Sequence, residues 1–173
     1  SAPSAPSAPP PPLTLPLNGY VKLRALRNAA ERNGQIGVVE DFNEEKGRYM
    51  VKLRGGALLA LKPENLLQML QVKLIDLEGE YAQYNGKSGT IFDFDDESEM
   101  YGVEMEDAEA IPAAAANVLL PVGARARVRG LQGAPQYNGC IAEVLEHDGE
   151  SGRCLVRLDA DKQLRLRRQN LSA

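Results

Sequence analysis

The chain has 173 residues and a net charge of −4, with 43% hydrophobic residues, no Trp and three Phe. This length allows one or two ordinary domains, and the composition predicts a core of Val, Leu, Ile and Ala. No apolar run is long enough for a membrane-spanning helix, so we expect no transmembrane segment. The net charge by itself favours neither a nucleic-acid partner nor its absence.

The first segment in chain order is the Pro-rich stretch SAPSAPSAPPPPLTLPL, which we assign to an arm at residues 1–18. Proline lacks the backbone N–H and fixes φ, so this stretch should be extended and resemble polyproline II. The arm is either a linker or a peptide laid along a partner or a groove of the same protein. In the second case the predicted contact residues are Pro9, Pro10, Pro11 and Pro12.

Beyond the arm, the chain repeats three times with a period of 52 and then 53 residues, set by Asn-Gly pairs at 33–34, 85–86 and 138–139. Each pair is followed at fixed distances by matched positions. These are Val39, Ile91 and Val144; Phe42, Phe94 and His147; Val51, Val103 and Val156; Leu53, Met105 and Leu158; and Asn65, Asn117 and Asn170. The shared register predicts three domains, at 19–70, 71–120 and 121–173.

Within each copy, apolar and polar residues alternate with a period of two, as in VKL, ARARVR, CLVRL and QLRLR. This pattern is typical of half-buried antiparallel strands, and the intervening NG, RGG, HDGESG and DADK segments are typical of turns. We expect four or five short strands per copy and a closing helical turn, with Pro63 and Pro112 in the first turn of copies one and two. A sheet this small buries its apolar face by curling, so the fold class is all-β, with three tandem small barrels.

The series VKLRALRNAAERNGQIGVVEDFNEEKGRYMVKLRGGALLALKPENL resembles the SH3-like small barrels of the KOW and Tudor kind. In particular it is similar to tandem repeats of algal and protist proteins, which read N-G-x-x-G-x-V, then G-R-Y-x-V-x-L and L-K-P-E-N-L. Copy three matches at YNG, SGR, LVRL and RRQNL, whereas copy two has Met100-Tyr101 in place of RY and an Ala-rich stretch in place of LKPENL. The resemblance covers about residues 19–172 and implies the fold more than the function, because small barrels have many binding roles.

We expect no enzyme and no cofactor, because no nucleophile, base and orienting group can be assembled. The segments around Gly37 and Gly89 lack the Lys-Ser/Thr pair and the following helix of a phosphate-binding loop, so we expect these glycines to allow tight turns and close strand approach. His147 takes the position of two Phe residues and should fill an aromatic slot. Cys140 and Cys154 lie on neighbouring strands; Cys154 should be a packed thiol, and a cross-strand disulfide is the alternative.

The sequence contains two candidate sets of metal ligands, one for calcium and one for zinc. In DFDDESEMYGVE, Asp93, Asp95, Glu97 and Glu104 occupy positions 1, 3, 5 and 12 of a calcium loop. Position 6 is Ser98 where Gly is required, so a hairpin loop is the favoured interpretation and a calcium-responsive module is the alternative. One His and two Cys are too few for a closed zinc site, which needs about four ligands.

Charge is distributed unevenly over the three copies. Residues 19–67 and 121–173 each contain nine basic and six acidic residues, whereas residues 72–119 contain two basic and twelve acidic ones. Alternation places the basic side chains of copy three on outward strand faces, where they are either simply solvated or steer a partner. The predicted docking residues are Arg125, Arg127, Arg129, Arg165, Arg167 and Arg168.

These observations predict a non-catalytic interaction protein, a short rod of three barrels that docks on protein subunits of a larger assembly. By analogy with the algal repeats, the assembly would be organellar, a chloroplast photosynthetic complex being the first choice; a cytoplasmic location is the alternative. The rival function is a KOW-like RNA- or ribosome-associated module. Against it stand the acidic middle copy and the lack of a stacking platform at Tyr84 and Tyr137.

Overall fold

The computed structural model describes residues 13–173, and across them the chain forms fifteen strands in three five-stranded antiparallel sheets. The all-β class and the threefold repetition are thereby confirmed, with five strands in each repeat. The first repeat holds β1 (Tyr20–Leu23), β2 (Ile36–Asn43), β3 (Arg48–Leu53), β4 (Leu58–Leu61) and β5 (Leu66–Gln68). The second holds β6 (Gln71–Leu74), β7 (Ser88–Asp95), β8 (Met100–Met105), β9 (Ala110–Ala114) and β10 (Val118–Leu119). The third holds β11 (Arg125–Val128), β12 (Ile141–Asp148), β13 (Arg153–Arg157), β14 (Gln163–Arg167) and β15 (Leu171–Ser172).

All three sheets have the same topology. Four strands follow one another as a meander, and the fifth returns to pair with the first, as in the order β4-β3-β2-β1-β5. A short 3-10 helix precedes the second strand and another precedes the fifth strand of every repeat. These helices are Ala30–Arg32, Pro63–Asn65, Gly79–Tyr84, Ala115–Asn117, Pro135–Tyr137 and Arg168–Asn170. The strand pairing of each repeat forms an open sheet across the described residues, whereas we had expected closed barrels.

Two asparagines in each repeat hold the loops, which explains why the sequence repeats them. In the first repeat, Asn33 clamps the loop after β1: its side chain accepts a hydrogen bond from the Leu26 N–H at 2.8 Å and donates one to the Leu26 carbonyl at 3.2 Å. Asn65 donates to the carbonyls of Arg24 and Ala25 at 3.0 and 3.2 Å. Equivalent bonds are made by Asn85, Asn117, Asn138 and Asn170. These asparagines therefore have structural roles.

Gly37 and Gly89 permit close packing of the second strand on the third, as the sequence predicted. A Cβ at Gly37 would lie 2.6 Å from Val51 Cγ1 and 2.9 Å from the Lys52 carbonyl oxygen. The third repeat carries Ala142 at this position, fully buried and paired with Ala126, where the first repeat pairs Gly37 with Val21.

The core is aliphatic, as the composition predicts, with Val51, Val103 and Val156 fully buried in equivalent places. The buried residues form two clusters rather than three. One belongs to the first repeat and includes Ile141 of the third, and the other is continuous through the second and third repeats. The second and third repeats therefore share apolar packing, which the sequence pattern did not predict.

One helical turn is misplaced in the prediction. Pro112 was expected in the first turn of a helix, but it lies inside β9, and the 3-10 turn begins only at Ala115. The strand tolerates Pro112 because β9 is the edge of its sheet and pairs only with β8, so no second neighbour requires the missing N–H. The corresponding prediction for Pro63 is confirmed, since it begins the helix before β5.

The repeats are not arranged as a rod. In a rod the first and third repeats would be separated by the second, but the Gln68 side chain donates a hydrogen bond to the Arg125 carbonyl across that boundary. The described end of the arm lies at the same boundary: the Leu15 N–H donates to the Tyr49 hydroxyl of the first repeat at 3.0 Å, and Arg125 of the third repeat donates to the Thr14 carbonyl oxygen at 2.8 Å. The second repeat shares its core with the third and accepts a hydrogen bond from Lys22 of the first, so each repeat contacts both of the others. Pro9, Pro10, Pro11 and Pro12 lie outside the described residues, so their predicted contacts stay a prediction.

Candidate interaction surfaces

The first and second repeats meet where two cations at the end of β1 contact the end of β7 and the hairpin loop that follows it. Lys22 Nζ donates to the Phe92 carbonyl oxygen at 3.1 Å. Arg24, which follows β1, pairs with Asp96 and lies over the Phe94 ring at 4.5 Å. The side chain of Arg24 is only 15% exposed, so this contact removes a strand-face cation from solvent. The basic first repeat and the acidic second repeat therefore form ion pairs with each other within the chain.

The second and third repeats are joined by Arg168, at the start of the last 3-10 helix. Its Nε donates to the Ala116 carbonyl oxygen at 2.8 Å, and its Nη2 lies 3.1 Å from an Asp76 carboxylate oxygen. The Arg168 side chain is only 14% exposed, so its bond to Ala116 is largely shielded from water, whereas the Asp76 carboxylate is 73% exposed. The Ala173 N–H donates to the Tyr101 hydroxyl at 3.0 Å, so the end of the third repeat is anchored on the second.

The six arginines predicted to dock a partner fall into three groups. Arg125, Arg129 and Arg168 make contacts within the chain: Arg125 donates to the Thr14 carbonyl oxygen at 2.8 Å, and Arg129 lies 3.4 Å from Glu99. Arg165 and Arg167 are exposed on β14, and their side chains make no hydrogen bond or ion pair with the described residues. Arg127 is half-buried, and its side chain makes no hydrogen bond or ion pair with residues 13–173. The role of the six arginines in partner binding stays a prediction. Only Arg127, Arg165 and Arg167 have side chains that no hydrogen bond or ion pair within the described chain occupies.

Arg127 lines an open cleft of about 610 Å³ between the first and third repeats. Five cationic side chains and one carboxylate line this cleft, which we call the basic cleft. Its lining comprises Arg24, Arg27, Arg48, Lys62, Glu64, Arg127 and the uncharged residues Ala25, Leu26, Asn28, Ala29 and Asn65. Arg27, Arg48 and Lys62 were not predicted as site residues from the sequence. The positive charge of the first repeat indicated that it could bind an anion, but not which of its cations lie next to the third repeat.

The electrostatic environment of Arg127 is unfavourable to its charge. Burial, and then repulsion from the Arg24 guanidinium, lowers the pKa of Arg127 from its ordinary value, and Glu64 opposes this shift. Arg129 adds further repulsion. The Nε of Arg24 is itself buried without a hydrogen-bond partner among the described residues. A partly desolvated cation surrounded by like charge is stabilised by an anion.

His147 fills the aromatic slot predicted for it. It pairs with Cys154 across β12 and β13, as Phe42 pairs with Tyr49 in the first repeat. Its Nε2 lies 2.7 Å from the Leu120 carbonyl oxygen, so that nitrogen donates, and the adjoining cavity measures about 10 Å³, barely enough for one water molecule. This environment gives His147 a packing role.

The two cysteines are free, so the disulfide alternative is wrong. Cys154 is buried, as predicted, and burial raises the pKa of its thiol to about 11. Cys140 is exposed.

The thiols should therefore react at very different rates. At pH 8 and under native conditions, we expect 5,5′-dithiobis(2-nitrobenzoic acid) to modify Cys140 within minutes and to leave Cys154 unmodified, because the thiolate is the reactive form and Cys154 is both protonated and inaccessible. In denaturant both should react. The Cys140→Ser variant should show no fast phase, and a fast phase that persists in this variant would contradict the assignment.

The acidic stretch that resembles a calcium loop comprises the end of β7, the hairpin loop at residues 96–99 and most of β8. Asp95 accepts hydrogen bonds from the Ser98 hydroxyl at 2.8 Å and the Glu97 N–H at 3.1 Å, which lower the pKa of its carboxyl. Within the described part of the chain, no group of three or more His, Cys, Asp or Glu side chains is arranged to hold a metal ion. The loop instead directs Asp96 and Glu99 to arginines of the other repeats.

Among residues 13–173, every helical segment falls short of the length and hydrophobicity needed to span a bilayer. No family model matches this chain, and no curated protein matches it in sequence.

Proposed function

We propose that this protein is a non-catalytic interaction module, an accessory subunit that docks on protein subunits of a larger assembly. Each repeat is proposed to be an SH3-like small barrel. Two features support this fold: a four-strand meander whose first strand pairs with a returning fifth strand, and the repeated sequence motifs. The analogy with algal repeats makes an organellar assembly, and a chloroplast photosynthetic complex in particular, the first one to test.

The observation that carries the proposal is the basic cleft. Four cations of the first and third repeats are paired with carboxylates of the second repeat; these are Lys22, Arg24, Arg129 and Arg168. Arg27, Lys62 and Arg127 line the cleft together and make no ion pair within residues 13–173. An uncompensated cluster of this kind steers and orients an anionic partner.

The proposal is tested by isolating the native protein under mild conditions and measuring the mass of what co-migrates with it in size-exclusion chromatography. We expect the protein to elute with a large protein assembly and to dissociate as ionic strength rises, because exposed charge pairs are screened by salt. Nuclease treatment is the control. Release by nuclease would support the RNA-associated alternative, and elution of the 18.8 kDa chain alone at low salt would contradict both.

A further inference from the structure

We propose that the basic cleft is a receptor for an acidic peptide segment of a protein partner, with Arg127 at the centre of the binding site and Arg27 and Lys62 as exposed cations beside it. This inference rests on the proposed function and identifies the surface and the chemistry by which the partner is held.

The first step in the argument is the state of Arg127. A guanidinium has five N–H donors, and partial burial without acceptors costs free energy that a carboxylate recovers. Glu64 is near enough to act on Arg127 electrostatically, but the two side chains form no ion pair within 4.0 Å. The structure therefore leaves the donors of Arg127 to be satisfied from outside the described chain or by solvent.

The second step is the way in which the neighbouring arginines are satisfied. Arg24 pairs with Asp96 and Arg129 pairs with Glu99, and both carboxylates come from one hairpin loop of the second repeat. An acidic loop thus already binds the two arginines that act on Arg127 by repulsion. Arg127 has no such partner, and a carboxylate from another protein would complete the same chemistry.

The third step decides between a peptide and a nucleic acid. None of the residues that line the cleft is aromatic, so it offers no surface on which bases would stack. Asp96 and Glu99, which are 59% and 68% exposed, border the arginines of this region and would repel an extended phosphate backbone. A short segment with a few carboxylates avoids most of that repulsion, and the cleft volume of about 610 Å³ suits a few side chains.

The test uses the full chain and a fluorescein-labelled peptide in which Glu and Ser alternate, with fluorescence anisotropy as the readout. We expect saturable binding at low salt that the same peptide with Gln in place of Glu does not show. The double variant R27E/K62E changes two exposed residues, so it should fold, and its affinity should fall about tenfold or more because two attractive contacts become repulsive. Arg127→Gln should lower the affinity as well, and Glu64→Gln should raise it.

The matched control is the double variant R165E/R167E, which makes the same charge change on exposed residues of the third repeat that do not line the cleft. Its affinity should stay within about threefold of the parent, since distant exposed charges are screened. Equal losses in the two double variants would overturn the proposal in favour of non-specific attraction. So would oligouridylate binding that exceeds peptide binding, or the absence of saturable peptide binding.

Failure of this inference can be distinguished from failure of the proposed function. If the native assembly is retained by R27E/K62E and lost by R165E/R167E, docking is real but uses β14, and the cleft assignment is wrong. If the labelled peptide binds in the cleft but no protein assembly co-migrates with the native chain, the site stands and the accessory-subunit role is wrong.

Discussion

Replacing Gly89 with Ala should lower the free energy of unfolding by about 1–3 kcal/mol, the usual cost of forcing an extra carbon into a packed core. A Cβ at this position would lie 2.7 Å from Val103 Cγ1 and 2.9 Å from the Glu104 carbonyl oxygen. A β-branched side chain and a backbone atom cannot move aside as a flexible side chain can. Urea denaturation followed by circular dichroism measures the change.

The control for Gly89 is Gly55→Ala, because a Cβ at Gly55 has no atom within 4 Å. Its effect should stay within about 0.5 kcal/mol, as for other surface substitutions. Equal destabilisation by the two substitutions would show that the loss of glycine itself, rather than the close approach of β7 to β8, determines the result.

Replacing Arg168 with Ala should lower the free energy of unfolding by about 1.5–3 kcal/mol, the range for losing a charged hydrogen-bond partner. The Ala116 carbonyl oxygen would lose its bond at 2.8 Å, and a largely buried side chain would leave the boundary between the second and third repeats. Little of the loss should come from Asp76, whose side chain is 73% exposed, since exposed ion pairs contribute little.

The adjacent Arg167 provides a matched comparison, because its side chain is exposed and makes no hydrogen bond or ion pair with the described residues. Arg167→Ala should change stability by less than about 0.5 kcal/mol. Arg168→Lys should not restore the parent stability, because an ammonium cannot reproduce the fork geometry that reaches Ala116 and Asp76 together. Full restoration by Lys would show that charge alone is required.

The repeats and their strands could be predicted because each copy carries local determinants of its own structure. Asn33 and Asn65 recur because every copy needs the same two clamps, and Val51 recurs because every copy buries the same position. Pro112 was assigned to a helix because a proline at a helix start and a proline in an edge strand have similar local sequences. An edge strand accepts proline because no second strand pairs with it, and the local sequence does not show whether such a strand is present.

The candidate site was predicted less well. Alternation correctly placed Arg125 and Arg127 on the face opposite their own core, but the sequence does not state what covers that face. A cation that pairs with a carboxylate of another repeat and a cation that is exposed to water occupy the same positions in the alternating sequence pattern. The choice depends on contacts between residues far apart in the chain, such as Arg24 and Asp96, which no periodicity encodes.

Mutual contact among all three repeats has a consequence for how the protein loses its structure. In a linear array each unit touches only its neighbours, so a terminal unit can fray while the remainder persists. Here no unit is terminal in that sense, because the removal of any one exposes surface on both of the others. Melting should therefore be a concerted event in which the stabilities of the three units cannot be assigned separately.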